Sequence, residues 1–414
     1  MSEELLQRID HEAVVDLAAQ MIQIEGHEDL DHCERPVAEW LAAHLEERLP
    51  VGRAEVRLQP VPGDRRNVVV VLRGTDPGPS LMLNDHLDTV PGYGMPDAYR
   101  PAVREGRLYG RGAVDMKAAL AAMVMCVELL ASDDVTLAGD LILTAVAGEE
   151  SGSMGIQELT REGIGADFAI VGEPTSMRIA RAHKGAMWVE AAFHGVATHG
   201  SVPHEGVNAV YHAARFINRI ERDLAPRLAR RTHPLLGNAT VNVGVVTGGD
   251  RPPMVPASCS VQIDRRWLPG ERHGEVLQEL RDIVTEMQEE DCRVDADIAE
   301  MSGTSAFEHS PLECPSDAAG LALLEDVCGS DGSGPTNPIG VDFCTDEALL
   351  AAATATPTVV CGPGDVAQAH SLDEWIALEQ IEAAAEIYLR FASRFLDAGV
   401  RGAAPSSSGE QVIR

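Results

Sequence analysis

Positive charge is scarce in this chain of 414 residues: 33 Lys and Arg stand against 65 Asp and Glu, a net charge of −32. Such a polyanion does not gain nucleic-acid affinity by counterion release, so that class of partner is set aside. The excess reads as a solvated acidic surface, with a field that attracts cationic substrates as the sharper alternative. Long apolar runs are lacking too. No uncharged stretch approaches the roughly 18 residues of a membrane span. The opening MSEELLQRIDHEAVV is acidic and amphipathic, unlike a secretory signal. Of eight cysteines none forms a C-x-x-C pair, so they read as reduced cytoplasmic thiols rather than a disulfide framework or a zinc knuckle. No internal repeat is present. What remains, 45% hydrophobic and 24% charged, is ordinary globular composition. The length suits two domains, or one large domain with an insertion.

Periodicity sets out the elements. Residues 3–24 and 33–49 read as amphipathic helices, 67–72 and 80–84 as buried strands, and 116–130 as a buried Ala-rich helix. Strands follow at 140–146 and 168–171. This alternation indicates an α/β unit with a largely parallel sheet and helices on both faces. Near residue 182 the pattern changes. Residues 186–193, 208–224, 240–247, 258–266 and 271–289 read as strand, helix, strand, strand and helix, closed by a further strand. That is a compact α+β unit of the ferredoxin-like kind. From 296 the α/β pattern returns, with a helix at 318–327, a strand at 357–361 and a helix at 378–396. The expected organisation is a catalytic domain of 1–181 and 296–402, an inserted domain of 182–295, and a loose tail of 403–414.

Polar clusters fall at the strand ends: NDHLDTVP at 84–91, GEESG at 148–152 and GEP at 172–174, with GRGAVDMK at 110–117 opening a helix. In α/β sheets, sites form beyond the carboxyl ends of strands, so these clusters can converge. Each has a bland reading alone: His-x-Asp as a turn, Glu-Glu as a solvated charge run, Gly110–Gly112 as a loop without P-loop spacing. Together, a histidine and several carboxylates with no nearby thiol suit a divalent ion such as Zn²⁺, Co²⁺ or Mn²⁺. Cations also relieve the repulsion among carboxylates in one crevice. In a Glu-Glu pair, one carboxylate can coordinate while its neighbour takes a proton from water.

Seven segments then resemble the M20 metallopeptidase family in order and spacing: HLDTVP (86–91), GRGAVDMK (110–117), AGEESG (147–152), VGEPTS (171–176), HKG (183–185), HGSVPHEGVNA (199–209) and GPGDVAQAH (362–370). The resemblance implies two divalent ions per chain, zinc first and cobalt or manganese as alternatives. His86 and Glu173 would bind one, Glu150 and His370 the second, with Asp115 bridging. Glu149 would be general base and acid, and Asp88 would orient the His86 ring. The Asp115–Met116 peptide would be cis. The inserted unit would be a lid through which the chain forms a homodimer, carrying His199 into the partner's site to polarise the scissile carbonyl. Arg266 would bind a substrate carboxylate, with Arg265 as competitor. The implied function is hydrolysis of the amide of an N-acyl amino acid or related small molecule, as in acetylornithine deacetylase-like deacylases. The alternatives are a dipeptidase or carboxypeptidase, a hydrolase of an unusual C–N bond in a degradative pathway, and, remotely, a non-catalytic metal-binding relative.

Two departures bear on the substrate. Asp85 stands where relatives carry Gly, and Arg251-Pro252-Pro253-Met254 replaces a lid loop that often holds Asn. His183, His194 and His204 border the lid motifs as candidate supporting or substrate contacts. Cys344-Thr345-Asp346-Glu347-Ala348 reads as a pocket wall. The other histidines outside the motifs read as surface or core.

Overall fold

In the computed structural model, residues 2–75, 78–301, 308–329, 337–397 and 399–400 are described. The expected tail of 403–414 lies outside them. A nine-stranded mixed sheet runs in the order Ala54–Val61, Arg65–Leu72, Leu141–Val146, Leu81–His86, Phe168–Pro174, Thr358–Gly362, Ala180–His183, Leu312–Glu313, with Ile339–Val341 also on Ala180–His183. The four strands from Leu141–Val146 to Thr358–Gly362 are mutually parallel, and the two at the Ala54 edge are antiparallel. Three of the central strands are buried at every position, as helices on both faces require. Alternation divides their side chains. Val68, Val70, Leu81 and Leu83 join one core with the helices His11–Gln23, Arg35–Arg48, Ala118–Leu130 and Leu378–Phe395. Val69, Met82, Ile142 and Ala169 join the opposite core with Ile156, Leu159 and Leu350. Ala118–Leu130 is apolar on almost every side because it lies between the sheet and other helices.

Two sequence expectations change here. The helix expected at 3–24 is two helices, Ser2–Leu6 and His11–Gln23. The Asp10 carboxylate accepts from Ala13 N at 3.0 Å and caps the second, so the chain turns before it. The strand Ala54–Val61 escapes the pattern because it is a half-exposed edge strand containing a proline.

The second sheet runs Thr240–Gly248, Ser258–Trp267, Gly185–His194, Asp295–Glu300, all antiparallel, with Glu308–His309 also on Gly185–His194. This is the ferredoxin-like order expected. The helices Ala209–Arg219 and His273–Glu290 cover one face, with Phe193, Phe216 and Leu280 in its core. Both boundaries lie further along the chain than expected. Ala180–His183 pairs in the larger sheet, and Asp295–Glu300 in the smaller one, so the divisions expected at 181/182 and 295/296 cut across hydrogen-bonded ladders. Among the described residues no helix is long and apolar enough to cross a membrane.

Gly362 lets two central strands meet. A Cβ there would lie 1.8 Å from the Gly172 carbonyl oxygen. Gly362→Ala must push apart the strand that carries Glu173. Overpacking of this kind costs about 1–3 kcal/mol, so we expect a lowered denaturation midpoint together with reduced metal uptake. An unchanged midpoint in a denaturant titration would contradict this close approach.

Candidate metal centre

Parallel strands deliver their carboxyl ends to one edge of the sheet, and the polar clusters meet there. His86 ends Leu81–His86, Glu149 and Glu150 follow Leu141–Val146, Glu173 closes Phe168–Pro174, and His370 follows Thr358–Gly362. Asp115 comes from the turn that opens Ala118–Leu130. Its Oδ1 lies 3.0 Å from His86 Nε2, and its Oδ2 lies 3.2 Å from His370 Nε2. One carboxylate thus joins two imidazoles. Glu173 Oε1 is 3.6 Å from His86 Nε2, and Glu150 Oε1 is 2.9 Å from His370 Nε2. Among the described residues, ligand atoms of His86, Glu149 and Glu173, and of His86, Asp115 and Glu150, lie within 4.8 Å of one another. Distance alone therefore does not separate Glu149 from the ligands.

The supporting contacts explain why this cluster holds its shape. The Asp88 carboxylate accepts the backbone N–H groups of Glu149, at 3.1 Å, and Glu150, at 3.0 Å. His86 Nδ1 meets the Asp88 backbone carbonyl at 3.0 Å and the carboxylate only at 3.5 Å. The backbone carbonyl therefore orients the ring, and the carboxylate mainly holds the Glu-Glu loop. Glu374, which the sequence reading passed over, accepts from Val114 N at 3.0 Å and Asp115 N at 3.3 Å, and pairs with the buried Arg111. Lys117 Nζ donates to the carbonyls of Met21 and Ile24 at the end of His11–Gln23. That ties the Asp115 turn to a core helix. The Asp115–Met116 peptide is cis, as the resemblance implied. Asp85 is turned away: it alternates with Asn84 and His86 along its strand, accepts from His86 N at 2.8 Å, and faces the Met116 and Ala119 side.

Electrostatics show what the site lacks by itself. Burial pushes Glu149 and Glu173 well above the carboxylate range, with Glu150 and Asp115 respectively adding to the effect. Burial opposes a proton on His86, but Asp115 and Asp88 outweigh it and hold the pKa well above its ordinary value. Hydrogen bonds to Asp115 and Glu150 push His370 up to about 10. Burial would raise Asp115, yet His370 and His86 bring it below the usual range. Burial and like charge thus favour the protonated forms of Glu149 and Glu173, whereas the two imidazoles hold Asp115 as the anion. Imidazole nitrogens and carboxylate oxygens without a thiol ligand fit zinc, cobalt or manganese.

A family model described as peptidase family M20/M25/M40 matches residues 82–394. The chain belongs to that family. It is 33% identical over 347 residues to the acetylornithine deacetylase of Proteus mirabilis, covering 80% of this chain and 84% of that one. It is 29% identical over 410 residues to the N-formyl-4-amino-5-aminomethyl-2-methylpyrimidine deformylase of Bacillus subtilis, covering 92% and 94%. Among solved structures, aminopeptidase PepT of Bacillus cereus superposes with a TM-score of 0.77 at 21% identity, over 94% of this chain and 99% of that one, which shows the common fold. This member of the family is a metal-dependent amide hydrolase.

A cleft of about 730 Å³ runs from the cluster to the smaller sheet, whose Arg266 forms part of its wall. Strand alternation sends the two neighbouring arginines to opposite sides of the sheet. Arg265 is buried on the helix side beside Glu271 and Glu279, whereas Arg266 faces the cleft. Arg266 Nε donates to Asp264 at 2.9 Å, and Nη1 lies 3.5 Å from Cys344 Sγ. His183 is a buried latch. Its Nδ1 meets the Lys184 carbonyl, its Nε2 meets Thr345 Oγ1 at 3.2 Å, and burial lowers its pKa to about 4. His194 pairs with Asp297 on the surface, and His204 is exposed. His199 is also exposed, with Nδ1 2.7 Å from Ser201 Oγ.

Glu374→Gln should leave Arg111 as an unpaired buried charge and loosen the Asp115 turn. Breaking such a pair costs about 3–5 kcal/mol. The expected result is a lower unfolding midpoint with weakened metal binding, read by denaturation and by metal titration. Wild-type values for both would rule out the role given to Glu374.

Proposed function

We propose that this chain removes a small acyl group from an N-acyl amino acid or related amine, using two divalent ions, most simply zinc. The observation that carries this reading is Asp115, whose two oxygens face two imidazoles, each with its own glutamate. On this reading His86 and Glu173 hold one ion, Glu150 and His370 the other, and Asp115 both. Bound there, the ions supply Lewis-acid polarisation and lower the pKa of water. Glu149 is the remaining carboxylate of the cluster. It takes the proton from the attacking water and returns it to the leaving amine. Its loop is held by Asp88, so the base is aimed, and no guanidinium or ammonium pairs with its side chain among the described residues. Arg266 orients the non-reacting part of the substrate from the cleft wall. The two similar enzymes named above release an acetyl and a formyl group, which supports a small acyl side.

The inserted unit serves as lid and dimerisation domain. Its edge strand Thr240–Gly248 pairs on one side only in the described sheet and exposes Val245 and Val246, as a strand that pairs with a second copy does. His199, exposed on the lid, then polarises the carbonyl in the neighbouring subunit's cleft. None of the eight cysteines is in a disulfide, which fits a reducing cytoplasm.

Elemental analysis should find about two divalent ions per chain, and chelation should abolish activity. Glu149→Gln should keep both ions and lose at least ~10²-fold in turnover, the lower bound for a positioned proton donor. Near-normal turnover in that variant would remove Glu149 from its role. Mixing His199→Ala chains with Glu149→Ala chains should restore activity, since one site of each heterodimer receives an intact base and an intact imidazole. Subunit exchange without recovery would refute the shared site.

A further inference from the structure

The cleft that holds the reacting groups is also lined by two aromatic rings, Trp188 and Phe343. Rings are scarce in this chain, with 7 Phe, 5 Tyr and 4 Trp. Several are used in the cores, where Phe168 packs with Phe391 and Phe395, and Phe193 with Phe216. Trp188 and Phe343 are half-buried in the cleft wall. They come from separate parts of the fold. Trp188 lies on Gly185–His194 opposite Asp264, on the face of the smaller sheet that its helices leave open. Its neighbours Met187 and Val189 point into the helix-covered core. Phe343 immediately precedes Cys344, in the turn that His183 pins through Thr345. Arg266 shares the open face with Trp188, and Asp264 and Cys344 fix its guanidinium.

Two ring surfaces beside an immobilised guanidinium favour a planar partner. Aromatic pairs gain from their quadrupoles beyond the area they bury, and a guanidinium stacks on a ring face. An aliphatic chain in the same place gains only its area. The walls are also set before the ligand arrives, one by a sheet and the other by a pinned turn, so little ordering is needed on binding.

We propose, building on the amide-hydrolase reading above, that the substrate carries an aromatic or heteroaromatic ring on one side of the scissile amide and that Trp188 and Phe343 hold this ring. Both are specificity-determining residues. They take no part in proton transfer.

The test uses the zinc-loaded dimer and matched amides. N-acetylphenylalanine against N-acetylleucine places the ring on the amine side, and N-benzoylglycine against N-isobutyrylglycine places it on the acyl side. In one pair the ring-bearing amide should have a KM about 10-fold lower, the scale of one aromatic contact. Trp188→Leu and Phe343→Leu should each shrink that ratio towards one. The substitutions lie on separate elements, so either variant decides the matter if the other does not fold. Equal KM values in both pairs, or a ratio that survives the substitutions, overturn the proposal. A second readout does not depend on turnover: calorimetric titration with benzylamine against butylamine, and benzoate against isobutyrate. The ring-bearing probe of one pair should bind about 10-fold tighter to the wild type and lose that advantage in the variants. Amide cleavage without any ring preference would sink this inference and leave the hydrolase reading intact. Ring-selective binding with no amide cleaved would do the reverse.

Discussion

Asp115 carries the structure's central constraint: it lies between two imidazoles in a buried pocket that also holds Glu149, Glu150 and Glu173. Like charges so close are tolerated only where positive charge and hydrogen-bond donors are aimed at them. The backbone donors of the cluster residues go instead to two supporting carboxylates. Glu149 and Glu150 are fixed through their amides by Asp88, and Asp115 through its amide by Glu374. The acidic side chains are thus positioned by their own main chain, and their oxygens stay directed at one another. What remains for the imidazoles and for divalent ions is to neutralise the cluster.

The scaffold serves this arrangement by making strand ends coincide. Four parallel strands place their carboxyl ends along one edge, and Gly362 lets two of them approach at backbone distance. Burial of these strands on both faces keeps the edge rigid. Around it, ion pairs such as Arg111 with Glu374 and Arg65 with Glu34 hold the loops from below. Arg65 also donates to Ser151 in the loop that carries the Glu-Glu pair.

The smaller sheet contributes a wall of the cleft. Its helices take one face, and the other turns Trp188, Asp264 and Arg266 to the cleft. Alternation along a single strand sends Arg265 to a buried carboxylate pair and its neighbour Arg266 to the substrate side. The metal-ligating cluster and this wall therefore sit on different sheets and meet at the cleft.

Much of this was legible in the linear chain. Strand and helix alternation, the change of pattern near 182, and the ordered clusters around His86, Asp115, Glu149, Glu173 and His370 are local signals, because hydrophobic period and motif spacing are properties of short stretches. The elements misread were those governed by a single side chain or by exposure: Asp10 dividing a helix, and the half-exposed edge strand Ala54–Val61. The insert boundaries also moved, since hydrogen bonding between strands distant in sequence decides which sheet a segment joins. The supporting residues stayed hidden for the same reason. Glu374 lies 259 positions from the Asp115 amide it holds, and Lys117 reaches back 96 positions to Met21. The sequence by itself determined which polar clusters stand at the strand ends, because motif spacing and hydrophobic period are local properties. Tertiary structure alone decided which way Asp85, Arg265 and Arg266 face and what holds each reacting group, because those are contacts between segments with no local signature.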